Sequence, residues 1–150
     1  SRGLGDVYKR QLLQEENGLT PIHIDDSVSS LSAILLNDAY YQALMDGREN
    51  MRGISVLKPE WIIPFKAKAW LDLREKKDVD SSDIKKHRND IIRIVSDMVL
   101  QKCILPDEVR KDMEKFIEQF DVTESELKNL KIRGTKPEDI KRVLQTTYLD

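Results

Sequence analysis

The sequence lacks the features that several classes of protein require. Its 150 residues include a single cysteine, Cys103, so no internal disulfide can form. The apolar neighbours of Cys103 predict a buried structural thiol. No apolar run reaches the roughly 20 residues of a membrane-spanning helix, and no signal-peptide pattern opens the chain. We therefore expect a cytoplasmic protein with no membrane partner.

The sequence also has no large excess of charge of one sign, and it lacks the common metal-ligand motifs. The 25 basic and 27 acidic residues leave a net charge of -2, which gives no general signal for binding polyanions. The chain has 2 histidines, with no HExxH motif and no second histidine at ligand spacing, so we expect no zinc site. Gly3 and Gly5 form a GxG, but the third glycine and the flanking strand of a phosphate loop are absent.

The first residues, Ser1 to Gln11, have neither helical nor strand periodicity and lack an initiating methionine. They resemble a translated sequencing adapter. We therefore interpret residues 1–11 as non-native sequence, and the rest as part of a longer protein.

Short apolar segments come next. Leu19 to Ile24 has the partial alternation of a short β-strand. Asp25 and Asp26 follow, and because neighbouring residues on a strand point to opposite faces, they fit a turn or a helix cap better than a metal site. Apolar residues at helical spacing in Ser27 to Leu36 indicate a helix, with a strand as the alternative.

A helix and a strand are predicted before the helical half. The helix spans Asn37 to Asn50 with a stop near Gly47, and the strand spans Gly53 to Leu57. The helix residues expected to pack inward are Tyr40, Tyr41, Leu44 and Met45.

From Pro59 onward the pattern is helical. Pro59 suits a first helical position, whereas Pro64 predicts a kink or a restart, with the longer helix running from about Pro64 to Lys77. Ser81 and Ser82 are the N-cap candidates of the next helix, which is expected to end near Gln101.

The rest of the chain continues the helical pattern. Pro106 starts a helix, and capping-box spacing in Thr123 with Glu126 and in Thr135 with Glu138 indicates two more. The predicted fold is mainly α, a bundle of about five helices from Pro59 that follows a small α/β remnant.

Lys66 interrupts the apolar stripe of the first of these helices, between Ile62 and Ala69. A buried ammonium must find a partner or change its pKa, so Lys66 is a candidate for binding phosphate as a point charge. The alternative is a lysine whose stem covers the core while its head reaches water. Lys68 is a weaker candidate on a wetter side of the helix, with Trp61, Asp72 and Glu75.

The following helix has a polar stripe of its own. Asp83, His87 and Asp90 are spaced i, i+4 and i+7. In one interpretation, Asp83 interacts with the helix dipole and His87 is a core histidine whose hydrogen bonds are satisfied. In the other, the three residues form part of a site. A basic cluster lies in the same helix, and it is either a solvated face or a footprint for tRNA or another polyanion: Lys85, Lys86, Arg88 and Arg93.

Two segments, PEWIIPFKAKAWLDL and DSSDIKKHRND, resemble the helical half of bacterial nucleotidyltransferase-fold proteins, in particular the AbiEii-type toxin-like group. Two more segments resemble sequence blocks found in one branch of that group: SVSSLSAILLNDAYY and LKIRGTKPEDI. The resemblance therefore covers roughly Leu19 to Tyr148. The resemblance implies a nucleotide-binding role for Lys66 and a catalytic role for Asp83, which would orient Lys66 or a substrate hydroxyl. The other candidates near such a site, which come from the helical spacing and not from the resemblance, are His87, Lys68 and Asp90.

The resemblance also implies parts that this sequence does not contain. Such proteins have a Gly-Gly or Gly-Ser turn before an Asp-x-Asp strand, and a later carboxylate; these acids hold Mg²⁺. The chain would then comprise the end of an α/β core at 12–58 and a C-terminal helical domain at 59–150. The intact protein would transfer NMP from an NTP to an RNA, protein or small-molecule acceptor. This chain alone is expected to be inactive and to need no cofactor.

The alternative function is a non-catalytic helical module that binds a partner protein such as an antitoxin. An upstream reading frame with the Asp-x-Asp strand would favour the enzyme, whereas a start codon close to Leu12 would favour the module.

Overall fold

A computed structural model describes residues 31–150 of the chain. The interpretations of residues 1–11, of the strand at Leu19 to Ile24 and of the Asp25–Asp26 pair concern residues outside this range. Residues 31–34 are helical. The elements that follow, in chain order, are α1 (Asp38–Gly47), β1 (Arg48–Met51), β2 (Ile54–Leu57), α2 (Pro59–Glu75), α3 (Ser81–Asp97), α4 (Asp107–Gln119), α5 (Glu124–Asn129) and α6 (Pro137–Tyr148).

The predicted mainly α fold is confirmed for the described residues. Five helices, α2 to α6, follow from Pro59, and the strands form one two-stranded antiparallel sheet. Helix α2 packs on α1, α3 and α4, while α6 packs on α3 and α4. In residues 31–150 no helix is both long and apolar enough to cross a membrane.

Helix α2 runs without a break through Pro64, so the predicted restart at that residue is wrong. Proline lacks the N–H that would bond to the carbonyl of residue i−4, which in α2 is Glu60. The hydroxyl of Tyr148, in α6, donates a hydrogen bond to that carbonyl instead. The buried carbonyl of Glu60 is therefore satisfied from another helix, and α2 begins at Pro59 as the first prediction had it.

Helix α1 ends at Gly47, which confirms the predicted stop there, and the last three residues of the predicted range, 48–50, belong to β1. A Cβ atom on Gly47 would lie 2.4 Å from Cγ of Trp61, so the close contact between α1 and α2 requires glycine. Tyr40 is buried as predicted, whereas Tyr41 is 40% exposed, which contradicts its assignment to the core.

The predicted strand before Pro59 is confirmed as β2, paired with β1. Arg48 lies opposite Leu57, and Met51 opposite Ile54. Residues 52 and 53 form the turn with φ angles of 54° and 81°, the positive values of a two-residue type I′ turn. The partner strand was not predicted, because its four residues are exposed and show no apolar alternation.

The helix caps differ in part from those predicted. The carboxylate of Asp80 accepts the N–H of Ser82 at 3.0 Å, so Asp80 is the N-cap of α3 and the serines are helical. Helix α3 ends at Asp97 and not near Gln101. The capping box of Thr123 is confirmed in α5.

The cap predicted for the last helix is wrong. Helix α6 starts at Pro137 with Lys136 as its N-cap residue. The Asp139 carboxylate accepts the backbone N–H of Lys136 at 3.1 Å. Thr135 is therefore one residue too early to cap, because Pro137 prefers the first helical position.

Aromatic side chains fill the core between α2 and α4. The ring centroids of Trp70 and Phe116 are 5.3 Å apart in an edge-to-face contact, and Phe116 stacks on Phe120 at 4.7 Å. Trp61 is only 8% exposed, so its predicted place on a wetter face is wrong. Cys103 is buried as predicted, and burial raises the pKa of its thiol to about 12.

Candidate functional site

Lys66 and Asp90 form a buried ion pair between α2 and α3. The Nζ atom of Lys66 lies 2.9 Å from Oδ2 of Asp90, and the two side chains are 5% and 10% exposed. The ammonium therefore stays inside the interface, and the interpretation of Lys66 as a lysine whose head reaches water is wrong. Desolvation of a charge is costly, so a partner of opposite sign is required at this depth.

The apolar stripes of the two helices explain why these groups meet. Ile62 and Ile63 of α2 are fully buried, as are Ile91 and Ile92 of α3. Apolar burial brings α2 and α3 together, and any polar residue within the interface must then pair across it. Lys66 is the residue of α2 that does so.

His87 is the third member of this cluster. It is buried, and within residues 31–150 its Nδ1 atom has no hydrogen-bond partner. Burial, and then the positive charge of Lys66, lower the pKa of His87 to about 4, so the imidazole is neutral at pH 7. The predicted core position is confirmed, but within the described residues the Nδ1 atom is left without a partner. We name Lys66, Asp90 and His87 the buried cluster.

Asp83 lies outside the buried cluster. It occupies the first turn of α3, as predicted, where a carboxylate interacts favourably with the helix dipole. Its Oδ1 atom lies 3.3 Å from Nζ of Lys86, and the side chain is 27% exposed. Within residues 31–150, Lys66 pairs with Asp90 and Asp83 pairs with Lys86.

Lys68 belongs to a different network. Its Nζ atom lies 3.2 Å from Asp72 and 3.8 Å from Asp112, and the hydroxyl of Tyr40 donates to Asp112 at 2.7 Å. Partial burial opposes the charge of Lys68, but the carboxylates of Asp72, Asp112 and Glu108 outweigh it and raise the pKa of Lys68 above the ordinary value. No sequence pattern predicted the contact between Tyr40 and Asp112, because the two residues are 72 positions apart.

The basic cluster of α3 is partly neutralised. Arg88 makes a two-pronged contact with Glu126, at 2.9 Å from Nε and 2.8 Å from a terminal nitrogen, and its guanidinium lies 4.7 Å from the Phe120 ring centre. The hydrogen bonds from Arg88 lower the pKa of Glu126. Lys86 is paired with Asp83, so two of the four cations already have carboxylate partners. This weakens the predicted polyanion footprint.

The described residues contain no group of three or more His, Cys, Asp and Glu side chains that could hold a metal ion. What the buried cluster offers chemically is a charged ammonium with a fixed carboxylate partner, beside a neutral imidazole nitrogen. Scans of protein-family models, curated proteins and solved structures find no match to this chain.

Proposed function

We propose that the chain is the helical part of a nucleotidyltransferase-like protein, in which Lys66 binds the phosphates of an NTP. The intact protein would use the NTP with Mg²⁺ and transfer its NMP to an RNA, protein or small-molecule acceptor. One observation supports a site above all: a buried Lys66–Asp90 pair adjoins a buried imidazole whose Nδ1 atom has no partner within residues 31–150.

A buried ion pair and a buried nitrogen without a partner in the described residues both cost stability, and their occurrence at one place favours a functional role. A buried ion pair is commonly no more stabilising than well-packed apolar side chains of the same volume. An unpaired buried polar atom costs about 1–3 kcal/mol in addition. Sites that depart from the most stable packing are often binding sites, because ligand contacts then use the groups that folding leaves unsatisfied.

The geometry changes the roles that the resemblance implied. Asp90, and not Asp83, contacts the Lys66 ammonium, and because the Lys66 side chain is only 5% exposed, a phosphate would have to displace that contact. A neutral His87 nitrogen can donate or accept one hydrogen bond from a ligand oxygen. Asp83 remains the candidate catalytic residue, since its carboxylate is partly exposed beside Lys86 and could reach a substrate hydroxyl.

The affinity for MgATP tests this proposal. We choose the double variant Lys66→Met with Asp90→Leu, because either single change would leave one buried charge unpaired. Calorimetric titration of the 150-residue chain should show an affinity at least about tenfold weaker in the double variant than in the wild type.

The matched control is Lys68→Met, which removes a lysine from the same helix but outside the buried cluster. It should bind MgATP as the wild type does. Equal affinity of the wild type and a folded double variant would overturn the proposal and assign the buried cluster a structural role.

A further inference from the structure

A basic pocket lies between α5 and α6, on elements that do not contribute to the buried cluster. Its volume is about 650 Å³. The connecting segment belongs to LKIRGTKPEDI, which has no part in the proposed nucleotide contacts. Pockets of about 300–1,000 Å³ are the size that small organic ligands occupy.

The end of α5 builds the floor of this basic pocket. The N–H of Ile132 bonds to the carbonyl of Leu127 at 2.9 Å, and the N–H of Lys131 bonds to that of Lys128 at 3.0 Å. This is a Schellman motif, in which the residue after the turn packs back on the last helical turn. Ile132 and Leu127 therefore form an apolar floor, with Pro137 of α6 beside them.

Four cationic side chains surround that floor: Lys128, Lys131, Arg133 and Lys136. All four are exposed, and of the carboxylates in residues 31–150 only that of Glu124 lines the pocket with them. For Lys128, Lys131 and Arg133 no carboxylate in the described part of the chain lies within ion-pair distance. Lys136 faces some negative charge from Asp139.

The neighbouring carboxylates have other partners. Glu126 contacts Arg88, and Asp139 contacts Arg142 and the backbone of Lys136. Within residues 31–150, the four cations of the basic pocket therefore face less negative charge than they carry, with Glu124 in the lining and Asp139 near Lys136. A bound anion would reduce the repulsion among them.

Lys131 adds a second observation. Its φ angle is 59°, in the left-handed region that favours glycine, at the position where a Schellman motif most often has glycine. The chain has a lysine there, although glycine would adopt this φ angle without strain. A strained residue whose side chain lines a pocket points to a role in binding.

We propose that the basic pocket binds the phosphate of an organic phosphate. The cations would surround the phosphate oxygens, and Leu127, Ile132 and Pro137 would contact the apolar or planar remainder of the ligand. The phosphate could come from a free mononucleotide or from a strand of RNA. This inference is independent of the function proposed for Lys66.

The test is a ¹H–¹⁵N NMR titration of the full 150-residue chain at low salt with AMP and with a single-stranded RNA of about 12 nucleotides. The amides of residues 128–136 should shift on binding. The variant Lys131→Gly with Arg133→Gln keeps the turn and removes two cations. It should weaken binding about tenfold.

The matched control is Lys76→Gln with Lys77→Gln, the same charge change in an exposed loop. It should leave the affinity unchanged. Comparable affinities for AMP and RNA identify a small organic phosphate as the ligand. An RNA affinity more than about tenfold higher, with a steep salt dependence, identifies a nucleic-acid strand.

Two results would overturn the proposal. One is no shift at residues 128–136 with either probe at about 10 mM. The other is an equal loss of affinity in the pocket variant and in the control, which would indicate general electrostatic attraction. MgATP is itself an organic phosphate, so the titrations that test Lys66 are made in the Lys131→Gly, Arg133→Gln background, and either proposal can then fail alone.

Discussion

At the scale of single residues, the buried cluster combines the Lys66–Asp90 ion pair with a His87 nitrogen that has no partner among the described residues, all in an apolar interface. Lys66 and Asp90 are 24 residues apart in sequence, and only the packing of α2 on α3 brings them to 2.9 Å. Periodicity predicted that Lys66 faces carbon atoms. It could not identify the partner, because the crossing point of two helices depends on side chains along both of them.

The stability of single and double variants tests the ion pair. Lys66→Met should cost about 3–5 kcal/mol of unfolding free energy, because Asp90 would be left buried without a partner. Adding Asp90→Leu should recover most of that loss. Urea unfolding at pH 7 measures both changes, and a double variant no more stable than Lys66→Met would contradict the pairing.

His87 predicts a dependence of stability on pH. Its pKa is about 4 in the folded protein, against about 6.5 for an exposed histidine. Between these values the unfolded chain binds a proton that the folded chain does not. The free energy of unfolding should therefore fall as the pH decreases from 6.5 to 4, by about 3 kcal/mol from this residue.

The control for that effect is His87→Leu. Carboxylates such as Glu126 lose stabilising contacts in acid in both proteins, so only the difference between wild type and variant reports on His87. As the pH falls from 6.5 to 4, the free energy of unfolding of the variant should rise relative to that of the wild type. Parallel stability curves for the two proteins would show that His87 titrates normally.

At the scale of elements, α2 depends on a contact from the other end of the chain. Pro64 removes the helix bond to the carbonyl of Glu60, and the Tyr148 hydroxyl replaces it. Burial raises the pKa of Tyr148 well above the ordinary value, so the hydroxyl stays protonated and able to donate. This contact explains why α2 is one helix although the sequence predicted two pieces.

Tyr148→Phe should destabilise the protein by about 1–3 kcal/mol, because the Glu60 carbonyl would be buried without a donor. In a Pro64→Ala background the backbone N–H of residue 64 can satisfy that carbonyl. The same tyrosine change should then cost much less. Equal costs in the two backgrounds, measured by urea unfolding, would refute the compensation.

Helix positions were predictable from local signals, whereas several ends were not. Apolar spacing is repeated over many residues, so α2, α3, α4 and α6 could be recognised. A helix cap depends on which one of several neighbouring residues takes the N-cap position. Asp80 caps α3 in place of the serines, since a carboxylate interacts with both the backbone N–H and the helix dipole. Gly47 ends α1 where Trp61 leaves no room for a side chain.

At the scale of the whole molecule, one buried apolar cluster joins residues from Leu31 to Tyr148. Composition and periodicity were sufficient to predict a mainly helical fold. They could not predict contacts between distant segments, such as Tyr40 with Asp112 or Arg88 with Glu126. For the same reason the basic pocket was not predicted, since it needs the turn after α5 to lie against α6.

The two proposed sites differ in their charge and in their exposure to solvent. The buried cluster has balanced charges inside a helix interface, and the basic pocket has exposed cations on an apolar floor. A net charge of -2 for the whole chain conceals this difference. Salt should therefore weaken ligand binding at the exposed basic pocket more than at the buried cluster.

The central claim is that Lys66 contacts nucleotide phosphate. The most direct measurement is the ¹⁵N signal of the Lys66 ammonium group by NMR, assigned with the Lys66→Met variant, during titration with MgATP. The proposed function predicts that this signal shifts as the nucleotide binds while the Lys68 signal stays in place. A Lys66 signal that does not move at a nucleotide concentration that saturates the protein would contradict it.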